Sequence, residues 1–192
     1  MYNTEGIFSG GIEMRILVQF CVNADIIECP AFILNDLKSY QNEFTEWLYD
    51  KTNDHAYWMY KDGEKYGCSY RSEAFVEWLN KFILDKHEEK AKVVEQSVDE
   101  DGLVCRAEYP KDITALIHTE IESFRKWLTN KNSEGICKEE EYKKKYGMRK
   151  YIGYASAEWI NSFILNERNE KAYVIDKQMD YDEMKAMPKI FF

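Results

Sequence analysis

The constraint that shapes everything else in this chain is an internal repeat. Phe44-Thr45-Glu46-Trp47-Leu48 returns 80 residues later as Phe124-Arg125-Lys126-Trp127-Leu128, and Lys65-Tyr66-Gly67 returns at the same offset as Lys145-Tyr146-Gly147. Glu77-Trp78-Leu79-Asn80 returns as Glu158-Trp159-Ile160-Asn161, and Phe82-Ile83-Leu84 as Phe163-Ile164-Leu165. Lys90-Ala91 and Val93-Val94 come back as Lys171-Ala172 and Val174-Ile175. Order and spacing persist with one inserted residue, which points to two diverged copies of one module. Residues 14–98 form the expected module 1, 99–177 module 2, and 178–192 a C-terminal tail.

Periodicity gives the module its elements. Met14–Val22 and Asp25–Cys29 are β-rich runs, and Pro30 then leads into a helix. Ile33, Leu37, Tyr40, Phe44, Trp47 and Leu48 recur at spacings of three and four, as on one helix face. The second copy repeats that face as Ile113, Ile117, Ile121, Phe124 and Leu128. In Ala56–Tyr70, Asp62-Gly63 between two aromatic runs signals a hairpin. Ser72 is placed to cap a second helix whose buried face is Phe75, Trp78, Leu79, Phe82 and Ile83. Trp159, Ile160, Phe163 and Ile164 repeat that face. A strand over Ala91–Val98, echoed by Ala172–Lys177, closes each module.

The resulting fold class is α+β, with two tandem β(β)αββαβ modules, antiparallel sheets and helices on one face. The hairpin is where the copies diverge most. Its counterpart, Lys138-Glu139-Glu140-Glu141-Tyr142-Lys143-Lys144-Lys145, sets three Glu before three Lys at i,i+4, a pattern that favours a helical turn.

Residues 1–13 stand apart as a leader or a disordered terminus. Ser9-Gly10-Gly11 back-translates to codons that contain a bacterial ribosome-binding sequence a few nucleotides before the Met14 codon. Met14 is therefore the expected natural start.

Charge and motifs narrow the function. The formal charge is −9, which repels nucleic-acid phosphate and disfavours direct nucleic-acid binding and anionic membranes. No apolar run approaches the roughly 20 residues of a membrane span. The five cysteines, Cys21, Cys29, Cys68, Cys105 and Cys137, include no C-x-x-C pair, and free thiols fit a cytoplasmic protein. His55, His87 and His118 show no metal-ligand spacing. Asp54-His55 with Cys68 is the nearest approach to a nucleophile and base, and the second copy has Glu134 and Met148 near those positions. No phosphate-binding glycine motif is present, so the expectation is a non-enzyme without cofactor or metal.

Alternation places Trp58 and Tyr60 on one hairpin face and Tyr57 on the other, and a two-layer module cannot bury both faces. Exposed Tyr and Trp favour protein interfaces. Trp58 and Tyr60 are thus candidate partner anchors. Asp99, Glu100 and Asp101 at the seam, with Asp180, Asp182 and Glu183 in the tail, are candidate acidic contacts.

Phe44-x-x-Trp47-Leu48, Asp54-His55-x-x-Trp58 and the run from Ala74-Phe75-Val76 to Ile83-Leu84 together make the module resemble small proteins of Firmicutes and their phages or plasmids. The resemblance implies a mobile-genetic-element setting, and by analogy an inhibitor of host defence of the anti-CRISPR kind. The expected partner is a bacterial nucleic-acid-binding defence protein whose basic surface the acidic chain would occupy. The alternative expectation is a small-ligand-binding or sequestering protein with a cleft between the modules.

Overall fold

The structure is a computed structural model that describes residues 13–21 and 23–192. The start-site expectation falls on residues outside that range, except that Glu13 opens the first strand. The chain divides into two compact units. The first runs to Gln96 and takes back Asp182–Phe192, and the second is Ser97–Tyr181.

The first unit opens with β1 (Glu13–Gln19) and β2 (Ala24–Pro30), paired antiparallel with Ile16 opposite Ile27. Pro30, at φ −55° and ψ 137°, feeds a 3-10 segment, Ala31–Asp36, which runs into α1 (Leu37–Tyr49). A proline just before the first turn suits this, since that turn has no use for its missing N–H. The hairpin follows as β3 (Trp58–Lys61) and β4 (Glu64–Cys68). Asp62 and Gly63 sit at φ 53° and 83°, the pair of positive values that a tight two-residue turn requires.

Next come α2 (Ser72–Trp78), a π-helical turn over Leu79–Ile83, and β5 (Lys92–Val98). Strand order in this unit is β5-β2-β1-β8, where β8 (Lys189–Phe191) runs parallel to β1. The sheet is therefore mixed rather than antiparallel, because the tail, after α7 (Tyr181–Ala186), enters it in the same direction as β1. Ser72 does not cap α2. Its hydroxyl donates to buried Asp25 at 2.7 Å, a carboxylate that also accepts from Arg71 at 2.9 Å.

The second unit replaces the hairpin with helix. β6 (Leu103–Glu108) pairs antiparallel with β7 (Tyr173–Gln178). Between them lie a 3-10 turn after Pro110, α3 (Thr114–Thr119), α4 (Ile121–Thr129), α5 (Lys138–Tyr146), α6 (Tyr151–Trp159) and a second π turn, Ile160–Ile164. The Glu-then-Lys run forms α5, capped by the Glu140 carboxylate on the Cys137 N–H at 3.3 Å.

Each unit has its own core. Phe44, Leu48, Phe75, Leu79 and Leu84 are buried together in the first. Ile113, Phe124, Trp159, Ile160 and Leu165 are buried together in the second. No helix among the described residues is long and apolar enough to cross a membrane.

Candidate interaction surfaces

The two π turns control what each unit shows to solvent. In an α-helix, residues three and four beyond Trp78 and Leu79 would return to the core, which is why Phe82 and Phe163 are expected to be buried. A π turn closes five residues on instead. The Leu84 N–H donates to the Leu79 carbonyl at 2.8 Å, and the Leu165 N–H to the Ile160 carbonyl at 2.8 Å. Leu84 and Leu165 thereby take the core position, both fully buried, and the phenylalanines turn outward. Phe82 is 46% exposed and Phe163 57%, which corrects the expectation.

The same local devices hold both turns. The Asn80 side chain bonds the Ala91 backbone at both ends, at 2.9 and 2.7 Å, and Asn161 bonds Ala172 at 2.8 and 2.7 Å. Lys90 donates to the Leu84 carbonyl at 2.6 Å and Lys171 to that of Leu165 at 2.7 Å, each satisfying a carbonyl at a helix end.

On this frame each unit presents an aromatic surface. Phe82 lies 5.8 Å from both Trp47 and Trp78 by ring centroids. Phe163 lies 6.3 Å from Trp127 and 6.1 Å from Trp159. Tyr57 donates its hydroxyl to Glu77, and Tyr142 donates to Glu158, so a hairpin-side tyrosine and a helical one meet equivalent carboxylates.

Burial first, then those carboxylates, push both phenols well above the ordinary tyrosine range. Burial pushes Tyr70 up to about 12. A folded-state pKa above the unfolded value of about 10 favours the native state below that pH, and the contribution is lost as pH rises through the folded value. Ultraviolet titration should therefore show Tyr57, Tyr70 and Tyr142 un-ionised above pH 10, with stability falling as pH climbs further. Ionisation of all 14 tyrosines in one step near pH 10 with the fold intact would contradict this.

The residues singled out from sequence fare unevenly. Trp58 is buried, stacked at 5.0 Å and 9° on His55, with its indole N–H on the Asn53 carbonyl at 3.0 Å. Tyr60 is 56% exposed. The irregularity in register falls at Tyr66 on β4, so Trp58 and Tyr60 keep the same side of β3, but Trp58 at the start of the strand is buried and Tyr60 beside the turn is exposed. His55 Nε2 lies 3.0 Å from the Leu48 carbonyl and the Cys68 thiol donates to the same oxygen at 3.3 Å. Burial raises the Cys68 pKa, and the two side chains together satisfy a carbonyl in the last turn of α1.

The acidic seam is internally neutralised. Arg149 donates to Asp99 at 2.9 Å and to Asp101 at 2.8 Å. Burial opposes the Asp99 charge, but Arg149 and the Leu103 and Asp101 N–H groups outweigh it and hold the carboxyl below its usual range. Glu100 is exposed. In the tail Asp180 and Asp182 are exposed, and Glu183 pairs with Arg15 at 2.9 Å. Among the described residues no three His, Cys, Asp or Glu side chains converge as a metal site would need.

No family model, no curated protein and no solved structure matches this chain.

Proposed function

We propose that the protein is a duplicated binding module that recognises another protein through its exposed aromatic surfaces. The observation that carries this reading is the exposure of Phe82 and Phe163, each on a π turn and each against two tryptophans of the neighbouring helices. A core explanation would bury these rings, whereas both units turn them outward with the same hydrogen bonds. Exposed aromatics backed by a rigid scaffold are the usual centres of binding energy at protein interfaces.

Paired replacements support the duplication beneath this reading. Phe32 packs on His87 at 5.0 Å in the first unit, and at the corresponding positions Asp112 pairs with Arg168 at 2.7 Å. An aromatic contact and an ion pair thus hold the same two places.

The partner class follows from charge. At −9 the chain is suited to a basic protein surface, including one that otherwise holds nucleic acid, and an inhibitor encoded by a mobile element is the specific form of that proposal. The test is affinity capture from a bacterial lysate with the unaltered chain and with Phe82→Ala/Phe163→Ala. Both rings are about half exposed, so the variant should lose about 1–2 kcal/mol of stability at each site and stay folded. Its partner should be lost, with affinity falling by about 30-fold for each ring that acts as an anchor. Competing duplex DNA should also release the partner. Capture unchanged by the double replacement would defeat the aromatic-surface reading, and capture indifferent to DNA would defeat the basic-groove form of it.

A further inference from the structure

The outermost strands of the larger sheet, β8 and β7, are edges of different kinds. β8 is three residues long, and so short an edge resists further pairing. β7 has six residues, and its only strand neighbour among the described residues is β6. It contains no proline, glycine or bulge, and its register runs unbroken from Gln178 opposite Leu103 to Tyr173 opposite Glu108. Tyr173, Asp176, Lys177 and Gln178 are exposed and Val174 and Ile175 half-buried, so the strand is open to solvent along its length.

The ladder fixes which backbone groups face outward. The Met179 N–H donates to the Gly102 carbonyl at 2.9 Å, one step beyond the pair of Gln178 and Leu103. Hydrogen-bonded pairs alternate along an antiparallel ladder, so Tyr173, Ile175 and Lys177 also turn their backbone groups toward β6. Val174, Asp176 and Gln178 turn theirs to the open edge. Side chains alternate with the same period. Val174 packs on the core, and the Asp176 carboxylate accepts from Lys150 at 2.7 Å and from Tyr154 of α6 at 2.8 Å. Tyr173 and Ile175 therefore stand on the face away from α6, with Tyr173 61% exposed.

We propose that β7 pairs antiparallel with β7 of a second copy of this chain, about a two-fold axis at Ile175. That axis sets Val174 opposite Asp176 of the second copy, and the reverse, so the outward N–H and carbonyl groups of each strand satisfy those of the other. Ile175 then meets its own copy, and Tyr173 comes opposite Lys177, an apolar and a cation–aromatic pair of the kinds that stabilise cross-strand neighbours. An axis at Asp176 would instead set two carboxylates opposite each other, which is destabilising. The sequence of β7 thus complements itself in one register. Because β8 blunts the other end of the sheet, the assembly closes at two chains instead of extending strand by strand. A six-residue edge is small beside the roughly 1,200–2,000 Å² that stable complexes bury, so the dimer depends on concentration.

Sedimentation of the full chain between about 1 μM and 1 mM should show its mass double from 22.9 kDa. Over the same range amide exchange should slow at Val174 and Asp176, while Ile175, already bonded to β6, changes little. Ile175→Lys sets like charges across the axis and should weaken the dimer about tenfold. Under mild oxidation Ile175→Cys should link two chains faster than the unaltered chain, whose own five thiols set the background. Tyr173→Cys should not, because the axis holds the two copies of that residue apart. A single-chain mass at every concentration would overturn the proposal, as would a dimer indifferent to Ile175→Lys. Linking through Tyr173→Cys in place of Ile175→Cys would overturn the register that carries it. If Ile175→Lys does not fold, exchange and cross-linking decide. None of these replacements touches Phe82 or Phe163, so the result is read independently of partner capture: failure here leaves that test standing, and the reverse holds equally.

Discussion

Deleting Pro188–Phe192 should unfold the first unit while the second keeps most of its amide protection. These five residues are the last in the chain, yet they belong to the core of its beginning. Ile190 is buried, and β8 joins β1 through the Leu17 N–H on the Pro188 carbonyl and the Phe192 N–H on the Gln19 carbonyl, at 2.9 and 3.0 Å. The Phe192 ring lies 5.3 Å from Phe44 and 5.4 Å from Phe75, with Phe20 and Tyr70 also around it. The Gln41 side chain, from α1, donates to the Phe191 carbonyl. Loss of a buried Ile side chain costs about 2–5 kcal/mol and of a Phe about 3–5 kcal/mol. Together they rival the whole stability of about 5–15 kcal/mol expected for a domain. Hydrogen exchange resolved by peptide would show protection lost in β1, β2, α1 and α2 but retained in α4, α6 and β7. Uniform loss would mean that the two units unfold as one, and no loss would mean that the tail is ornamental.

The tail also marks where reading by pattern stops. Its apolar residues are visible in sequence, but a three-residue parallel strand has no period to detect, and its partner β1 lies more than 160 residues upstream. By contrast, several features of the first module are local. Its helix face from Ile33 to Leu48, its Asp62-Gly63 turn and its closing strand all follow from spacings within a few residues, and the structure places each one as read. The α5 helix was equally legible, because paired Glu and Lys at i,i+4 act within a single turn.

The interaction surface was misread for a specific reason. Assigning Phe82 and Phe163 to the core assumes 3.6 residues per turn, and the π turns shift the face by one residue. A signal was present in the repeat itself: Leu79 and Leu84, like Ile160 and Leu165, are apolar at a spacing of five in both copies. Ile121 fails similarly. It was placed on the buried face of a continuous helix, but the break at Glu120 leaves it 40% exposed. The hairpin error at Trp58 and Tyr60 is of another kind: alternation gives the two a shared side but not their depth, and Trp58 opens β3 in the core while Tyr60 stands exposed beside the turn.

Asp25→Ala should cost the first unit about 1–3 kcal/mol, the range for stranding a buried hydrogen-bonding group, since the Arg71 charge left behind is part-exposed. Asp25 is wholly buried, held by the Arg71 guanidinium at 2.9 Å and the Ser72 hydroxyl at 2.7 Å at the start of α2. Removing the carboxylate strands the Ser72 hydroxyl in the core and takes from Arg71 its ion-pair partner. On the duplication proposed above, the equivalent position of the second unit does not require charge. At the offsets of the sequence repeat Cys105 answers to Asp25, its thiol donating to the Lys150 carbonyl at 3.4 Å, and Ile152 and Gly153 answer to Arg71 and Ser72. A Cβ on Gly153 would come within 3.0 Å of the Cys105 sulfur and carbonyl, so the helix there approaches the strand more closely than a serine allows. Each solution is complete, and a half-exchange is not. The combined replacement Asp25→Cys/Arg71→Ile/Ser72→Gly should therefore recover at least half of the loss, although a glycine inside the first turn costs about 0.5–1 kcal/mol. Urea titrations of the unaltered chain, the single variant and the triple variant would measure this. A triple variant no more stable than Asp25→Ala would show that the network of the first unit is tied to its surroundings beyond these three residues, and that the two units no longer share an interchangeable joint between strand and helix.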